Sequence, residues 1–409
     1  MGLDPTIEHL YRQHSRRVLS TLIRLLGDFD LAEEAMQEAF VAAVQQWPEQ
    51  GLPDHPAAWL IRTGQRRGID QIRRRQTSRH YAHLVAPEEA AAGLDERSIA
   101  HDPLRLLFTC CHPALALDER VALTLREMCG LTTEQVASAL LQKPATLAQR
   151  IVRAKRRLRD AGIPYEVPDA RVLPARLPDV LRVIYLVFNE GYSRSDGAAL
   201  LDVNLTEEAL ELGQALTQLL PRGEVFGLQG LMLLHDARRE ARQGPGGELI
   251  PLEEQDRRRW DAARIEQGLG WLSRALALTP TGPYTLQASI AAEHVRAPCA
   301  EATDWARIAS LYAALHRRQP SPIIALNRAV AVAMRDGPEA GLVLLEALAE
   351  HRAIANYHLF HAARGDLHRR AGRPQEARHA YERALALAVQ QPERRFLERR
   401  LAELEPSPR

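Results

Sequence analysis

Residues 131–159, LTTEQVASALLQKPATLAQRIVRAKRRLR, constrain this chain most, because their pattern fits two short helices meeting at a tight corner. Thr132 is placed to cap the first helix with Gln135 three residues on, and Val136, Ala139 and Leu140 give that helix one apolar face. Leu141, Gln142 and Lys143 make the corner. Pro144 then opens the second helix at the position where a missing N–H costs nothing. Leu147, Ile151, Ala154 and Leu158 form its buried stripe, leaving Thr146, Gln149, Arg150, Arg153, Arg156 and Arg157 on the other faces. From Lys143 to Arg159 there are seven basic residues and no acid. A helix about 24 Å long, apolar behind and cationic in front, fits a DNA major groove, where Gln and Arg read base edges and further Arg hold phosphates. A solvated basic face is the plainer alternative, and the corner geometry favours the groove reading.

At 409 residues, 46% of them apolar, the chain calls for two or three domains. A formal net charge of +1 conceals sorting: residues 1–50 hold four Arg against eight acids, whereas residues 62–79 hold seven Arg against one Asp. Charge separated in this way implies distinct partner surfaces. Four cysteines suit a reducing compartment rather than a disulfide scaffold. No apolar run approaches the roughly 18 residues of a membrane span, so the expectation is a cytoplasmic protein with no membrane partner.

The first 26 residues place Leu10, Tyr11, Val18, Leu22, Leu25 and Leu26 at helical spacing, and Gly27 supplies a stop. In the next helix Ala35, Phe40, Ala43, Val44 and Trp47 are expected inward, with Asp30, Glu33, Glu34, Gln37 and Glu38 as an acidic outward ridge suited to a basic partner helix. After a Pro/Gly loop, AAWLIRTGQRRGIDQIRRR sets Trp59, Ile61, Ile69 and Ile72 among Arg62, Arg66, Arg67, Arg73, Arg74 and Arg75, which suits opened DNA. Trp59 itself reads more readily as a core anchor than as a base wedge. Residues 77–101 read as a linker, able to span on the order of 85 Å when extended. From residue 102 helical pattern resumes, with Asp118 expected to cap a helix that carries Val121, Leu125 and Met128 inward and closes at Gly130.

Beyond Gly162 helical patterns follow one another with Gly/Pro breaks and no strand series. GDLHRRAGRPQEARHAYERALAL carries Gly365, Gly372, Ala377, Tyr381 and Ala384 at the spacing of a tetratricopeptide helix pair. RALAL recurs at residues 274–278 and 383–387, and residues 321–348 look like a degenerate third unit. Such pairs stack because none buries its apolar face alone. The expected fold is therefore all-α, with residues 6–76 a helical bundle, 77–101 a linker, 102–162 a helix-turn-helix domain and 176–405 a repeat-like helical domain.

The acidic ridge, the Trp-Arg helix, the linker and the helix-turn-helix, in that order, resemble bacterial sigma factors of the extracytoplasmic-function (ECF) group. LLFTCCHPAL, NEGYS, LMLLHDARR, DRRRWD, GPYTLQASIAA and SPIIALNRAVAVA resemble a subgroup with a fused tetratricopeptide-like domain. The resemblance implies a dissociable subunit that binds core RNA polymerase, at the clamp helices and flap of its large subunits, and directs it to promoter DNA without catalysis. It implies polymerase contact by Asp30, Glu33, Glu34, Gln37 and Glu38, −10 contact by Trp59, Arg62, Arg66, Arg67 and Arg73, and −35 contact by Thr146, Gln149, Arg150, Arg153, Arg156 and Arg157. The C-terminal domain would control activity by contacting the sigma modules, polymerase or another protein. A DNA-binding regulator with a helical scaffold is the competing reading. Many relatives have Asn where Arg66 stands, and a Ser or Gly-rich start to the reading helix where Lys143-Pro144-Ala145 stands.

Cys110-Cys111-His112 suits core packing better than a metal site, since no second Cys/His pair stands at ligand spacing. His235-Asp236 and Glu190 lack any phosphate loop, nucleophile elbow or metal signature, so neither an enzyme nor a cofactor is expected. Glu190-Gly191-Tyr192 and residues 256–261 are weighed evenly as a ligand surface or as polar helix junctions.

Overall fold

The computed structural model describes residues 5–78, 96–140, 142–169, 171–192 and 203–404, and apart from one isolated bridge between Gln243 and Leu249 its regular elements are helical. The all-α expectation holds. No described helix is long and apolar enough to cross a membrane. The chain divides into two compact units, Met1–Val183 and Ile184–Arg409.

In the first unit α1 (Pro5–Leu26), α2 (Phe29–Gln50) and α3 (Pro56–Ser78) pack on one another. Gly27, at φ +72°, ends α1 in a conformation that suits a residue without a side chain. Asp28 then caps α2 by accepting from the Leu31 N–H at 2.9 Å. The core gathers Leu22, Ile23, Ala35, Phe40, Ala43, Leu60 and Ile61. Val44 lies outside it at 37% exposure, because the stripe through Phe40, Ala43 and Trp47 leaves position 44 on the far edge. Close approach of α3 needs Gly64, where a Cβ would stand 2.8 Å from Leu22 and 3.2 Å from the Ala35 carbonyl oxygen.

The second group of helices in this unit is α4 (Glu96–Cys110), α5 (Leu117–Glu127), α6 (Thr133–Ala139) and α7 (Pro144–Asp160). α5 begins one residue before Asp118, and Glu119 rather than Asp118 closes its start by accepting from the Ala116 N–H at 2.8 Å. Of the linker expected over 77–101, residues 79–95 lie outside the described residues. α8 (Leu173–Tyr192) holds its first turns against this group: Arg176 donates to the Phe108 carbonyl at 2.6 Å and Asp179 pairs with Arg120 at 2.7 Å. The division between the two units falls within α8.

The second unit continues with α9 (Val203–Leu219), α10 (Gly223–Asp236), α11 (Ala262–Leu276), α12 (Pro283–Arg296), α13 (Trp305–Arg318), α14 (Pro322–Asp336), α15 (Pro338–Glu346), α16 (Arg352–Ala355), α17 (His358–Arg370), α18 (Pro374–Leu387) and α19 (Gln391–Glu403). Neighbours along the chain are neighbours in space, as stacked helix pairs require. The tetratricopeptide spacing finds its cause at Gly365, where a Cβ would stand 2.6 Å from the Tyr381 ring. His235 and His294 are also packed in this unit. Burial, with the Arg238 and Arg257 charges beside it, brings the His294 pKa down to about 4, and burial with Arg238 and Arg242 holds His235 well below its ordinary value. Both histidines fold neutral, so the stability they contribute is full above the unfolded value of about 6.5 and is lost as pH falls toward 4. Urea unfolding followed at pH 7 and pH 5 should accordingly show this unit weaker at pH 5; equal midpoints would refute the assignment.

Candidate nucleic-acid interface

Local chemistry builds the helix-turn-helix as its residues dictate. The Thr132 N–H donates to Gln135 Oε1 at 2.8 Å and the Gln135 N–H to Thr132 Oγ1 at 3.2 Å, a reciprocal cap. Pro144 stands at the first position of α7, and Leu147, Ile151, Ala154 and Leu158 are all buried. Thr146, Gln149 and Arg153 lie together on the exposed face, with Arg153 donating only to the Gln149 carbonyl at 3.2 Å. Arg150 pairs with Asp118 at 2.8 Å and Arg157 with Glu119 at 2.7 Å, which ties α7 to the start of α5; Arg156 pairs along its own helix with Asp160 at 3.3 Å. Val152, 64% exposed among these polar groups, is an apolar surface that sequence reasoning passed over.

On α3, Arg62, Arg66, Arg67 and Arg73 are exposed. Trp59 is half-buried and meets Trp47 edge-to-face at 5.3 Å, the arrangement of a core anchor. α2 faces α3 through Gln71, which donates to Glu34 at 2.6 Å, and through Arg67, 3.8 Å from Glu38. Gln37 is exposed beside them.

The other end of the acidic ridge meets the helix-turn-helix. Lys155, on α7, is 8% exposed and lies 3.0 Å from Asp30, 3.6 Å from Glu33 and 3.0 Å from Glu127. Arg126 pairs closely with Glu33, Arg159 with Asp28 at 3.0 Å, and Arg24 with the buried Asp102 at 2.8 Å. Burial works to lower the Lys155 pKa, but Glu127 and Asp30 outweigh it and hold the ammonium above the ordinary lysine value. Burial likewise pushes the Glu127 carboxyl up, with Lys155 opposing. Glu33, expected to face outward, is half-buried in an internal seam, whereas Asp30 stays exposed as expected while pairing across that seam, so the first three helices and the helix-turn-helix group touch. Lys155, Arg126 and Arg159 were missed as site residues. The available signal was weak: Lys155 stands one helical turn after Ile151, at the edge of the apolar stripe.

Cys110 ends α4 and Cys111 follows it; both are buried, and burial pushes the Cys111 thiol up to about 12. Among the described residues no group of His, Cys, Asp and Glu is arranged to hold a metal ion.

Comparison with known proteins places these modules. Residues 10–78 match the family model for sigma-70 region 2, 105–158 that for sigma-70 region 4, 358–388 the tetratricopeptide repeat, and 176–276 a family of unknown function. A protein of Rhizobium meliloti described as uncharacterized is 44% identical over 404 residues, covering 96% of this chain and 94% of that one. The probable ECF RNA polymerase sigma factor SigI of Mycobacterium tuberculosis is 28% identical over 206 residues, 49% of this chain and 67% of that one. The ECF RNA polymerase sigma factor SigE of Mycolicibacterium smegmatis is 30% identical over 161 residues, 38% of this chain and 61% of that one.

Proposed function

Because the chain belongs to the sigma-70 family, as an ECF sigma factor with a tetratricopeptide-like C-terminal domain, we propose that its acidic α2 ridge docks on core RNA polymerase and that one end of this surface, at Asp30 and Glu33, is engaged in the resting chain by its own helix-turn-helix. Asp30, Glu33, Glu34, Gln37 and Glu38 supply the polymerase contact. Arg62, Arg66, Arg67 and Arg73 hold the phosphates of the opened −10 strand, with Trp59 keeping α3 seated beneath them. Thr146, Gln149, Arg150 and Arg153 face the −35 bases, Arg156 and Arg157 the phosphates, and Val152 offers a methyl surface to thymine.

The observation that carries the shielding is Lys155, buried between Asp30, Glu33 and Glu127. Glu33 already pairs through one oxygen with Arg126 and through the other with Lys155, so polymerase competes with the seam for it, and less strongly for the exposed Asp30. Modules held against one another also cannot reach two promoter elements at once. Opening is then part of promoter engagement, with polymerase and DNA contacts offsetting the lost ion pairs. The C-terminal unit controls this step.

Run-off transcription with core polymerase as the only other protein tests the reading. A transcript is expected from the cognate promoter, in an amount altered by truncation after Val183. No transcript from any DNA that the chain protects would reduce it to an ordinary DNA-binding regulator, and unchanged output on truncation would remove the control role.

A further inference from the structure

We propose that the C-terminal unit contains a binding site for one small oxyanion, a phosphate or a carboxylate, where Arg238, Arg242 and Arg257 converge on Tyr192, His235 and His294. These residues come from separate segments: the end of α8, the last turn of α10 and the stretch after it, the turn at Arg257–Arg259, and α12. Folding brings them together through the rings and backbone. The Tyr192 and His235 rings meet edge-to-face at 5.3 Å, and Arg238 Nη2 lies 3.2 Å from the Tyr192 hydroxyl and 3.1 Å from His235 Nδ1. The Arg242 guanidinium stacks 3.6 Å over the Tyr192 ring and donates to the Tyr192 carbonyl. Arg257 donates to the His294 and Ala297 carbonyls at 2.5 and 2.7 Å and lies 4.5 Å over Trp260.

What these contacts lack is a counter-charge. None of the three guanidinium groups has a carboxylate within ion-pair distance among the described residues; Glu393 reaches Arg242, and Glu301 reaches Arg257, only at longer range. Other part-buried arginines of the unit are paired with carboxylates, among them Arg239 and Arg264 with Asp236 and Glu207, Arg370 with Glu253 and Arg400 with Glu254. Arg238 is only 9% exposed, and the buried Trp260 indole N–H has no acceptor. A guanidinium as withdrawn from water as that of Arg238 is costly without an anion, and a bound oxyanion reduces that cost, with the half-buried Arg242 and Arg257 adding charge beside it. Stacked, carbonyl-fixed guanidinium forks suit carboxylate or phosphate oxygens. The depth of Arg238 favours a small ligand over a nucleic-acid backbone. Burial first, and the neighbouring arginine charges after it, lower both histidine pKa values, so the histidines add no positive charge of their own to the cluster near neutral pH.

The test titrates the full chain with inorganic phosphate and, separately, with succinate, against sodium chloride at matched ionic strength, reading calorimetric binding and thermal unfolding. At least one of the two should bind saturably at one site and raise Tm, and the responding anion identifies the source. Arg238→Gln and Arg242→Gln should each weaken that binding at least tenfold, while Arg258→Gln, at an exposed neighbouring position, should leave it unchanged. Circular dichroism checks each fold, and Arg257→Gln serves where Arg238→Gln fails to fold. No saturable binding of either anion, or equal binding by the folded variants, leaves an adventitious ion only and overturns the site.

Discussion

Replacing Arg126 and Arg159 together with glutamate is expected to open the first unit and raise promoter-specific transcription at limiting chain concentration. Arg126 meets Glu33 and Arg159 meets Asp28, so each reversal turns an attraction across the seam into a repulsion. Both replaced residues lie outside the set proposed to touch DNA. Partly exposed pairs contribute about 1 kcal/mol or less each, and two reversals with their repulsion shift the open-to-closed ratio roughly tenfold or more. Lys155 is left in place deliberately. Glu127, 1% exposed, depends on it within the helix-turn-helix itself, and removing the cation would strand a buried carboxylate. Amide hydrogen exchange over α2 and α7 should quicken in the double variant while α1 and α5 stay protected. Raising salt should produce the same change in the unaltered chain, since exposed pairs weaken as the screening length shrinks. Unaltered exchange and unaltered transcription from a folded double variant would show that the seam shields nothing.

The second large effect is the reverse of the first in its consequence for polymerase. Glu33→Lys with Glu34→Lys also opens the seam, because Arg126 and Lys155 then face a like charge. Here, however, the ridge loses the charge proposed to meet polymerase. Charge reversal at two central positions of an electrostatic interface should weaken binding roughly a hundredfold or more, about 3 kcal/mol. Glu33 and Glu34 lie outside the core of the bundle, so the fold should persist. Two variants that both open the unit, one gaining and one losing polymerase, separate shielding from recognition. Should the doubly reversed ridge bind polymerase as the unaltered chain does, the docking surface lies elsewhere.

How much of this was written in the sequence follows the range of the interactions. The reciprocal cap of Thr132 and Gln135, the start of α7 at Pro144 and its stripe through Leu158 depend on residues within a few turns, and periodicity exposes them. The same holds for Gly365 under Tyr381, where a small residue opposite an aromatic marks a helix pair. Asp118 misled because two acids stood side by side at the start of α5, and only geometry decides that Glu119 reaches back. Val44 misled because a helical stripe has an edge that spacing alone does not locate. The seam was illegible for a stronger reason: Lys155 and Asp30 are separated by 125 residues, and an ion pair at that distance leaves no periodic trace. The cationic cluster is intermediate. Tyr192 and the turn at Arg257–Arg259 stood out as charged-aromatic junctions, yet only the packing of α8, α10 and α12 brings His235, Arg238 and His294 to them.

The most direct test is equilibrium binding of the purified full chain, fluorescently labelled, to core RNA polymerase at moderate salt. Saturable association is expected for the unaltered chain, tighter association for Arg126→Glu with Arg159→Glu, and none over the same concentrations for Glu33→Lys with Glu34→Lys. An unaltered chain that fails to associate, or a reversed ridge that associates equally well, would contradict that expectation.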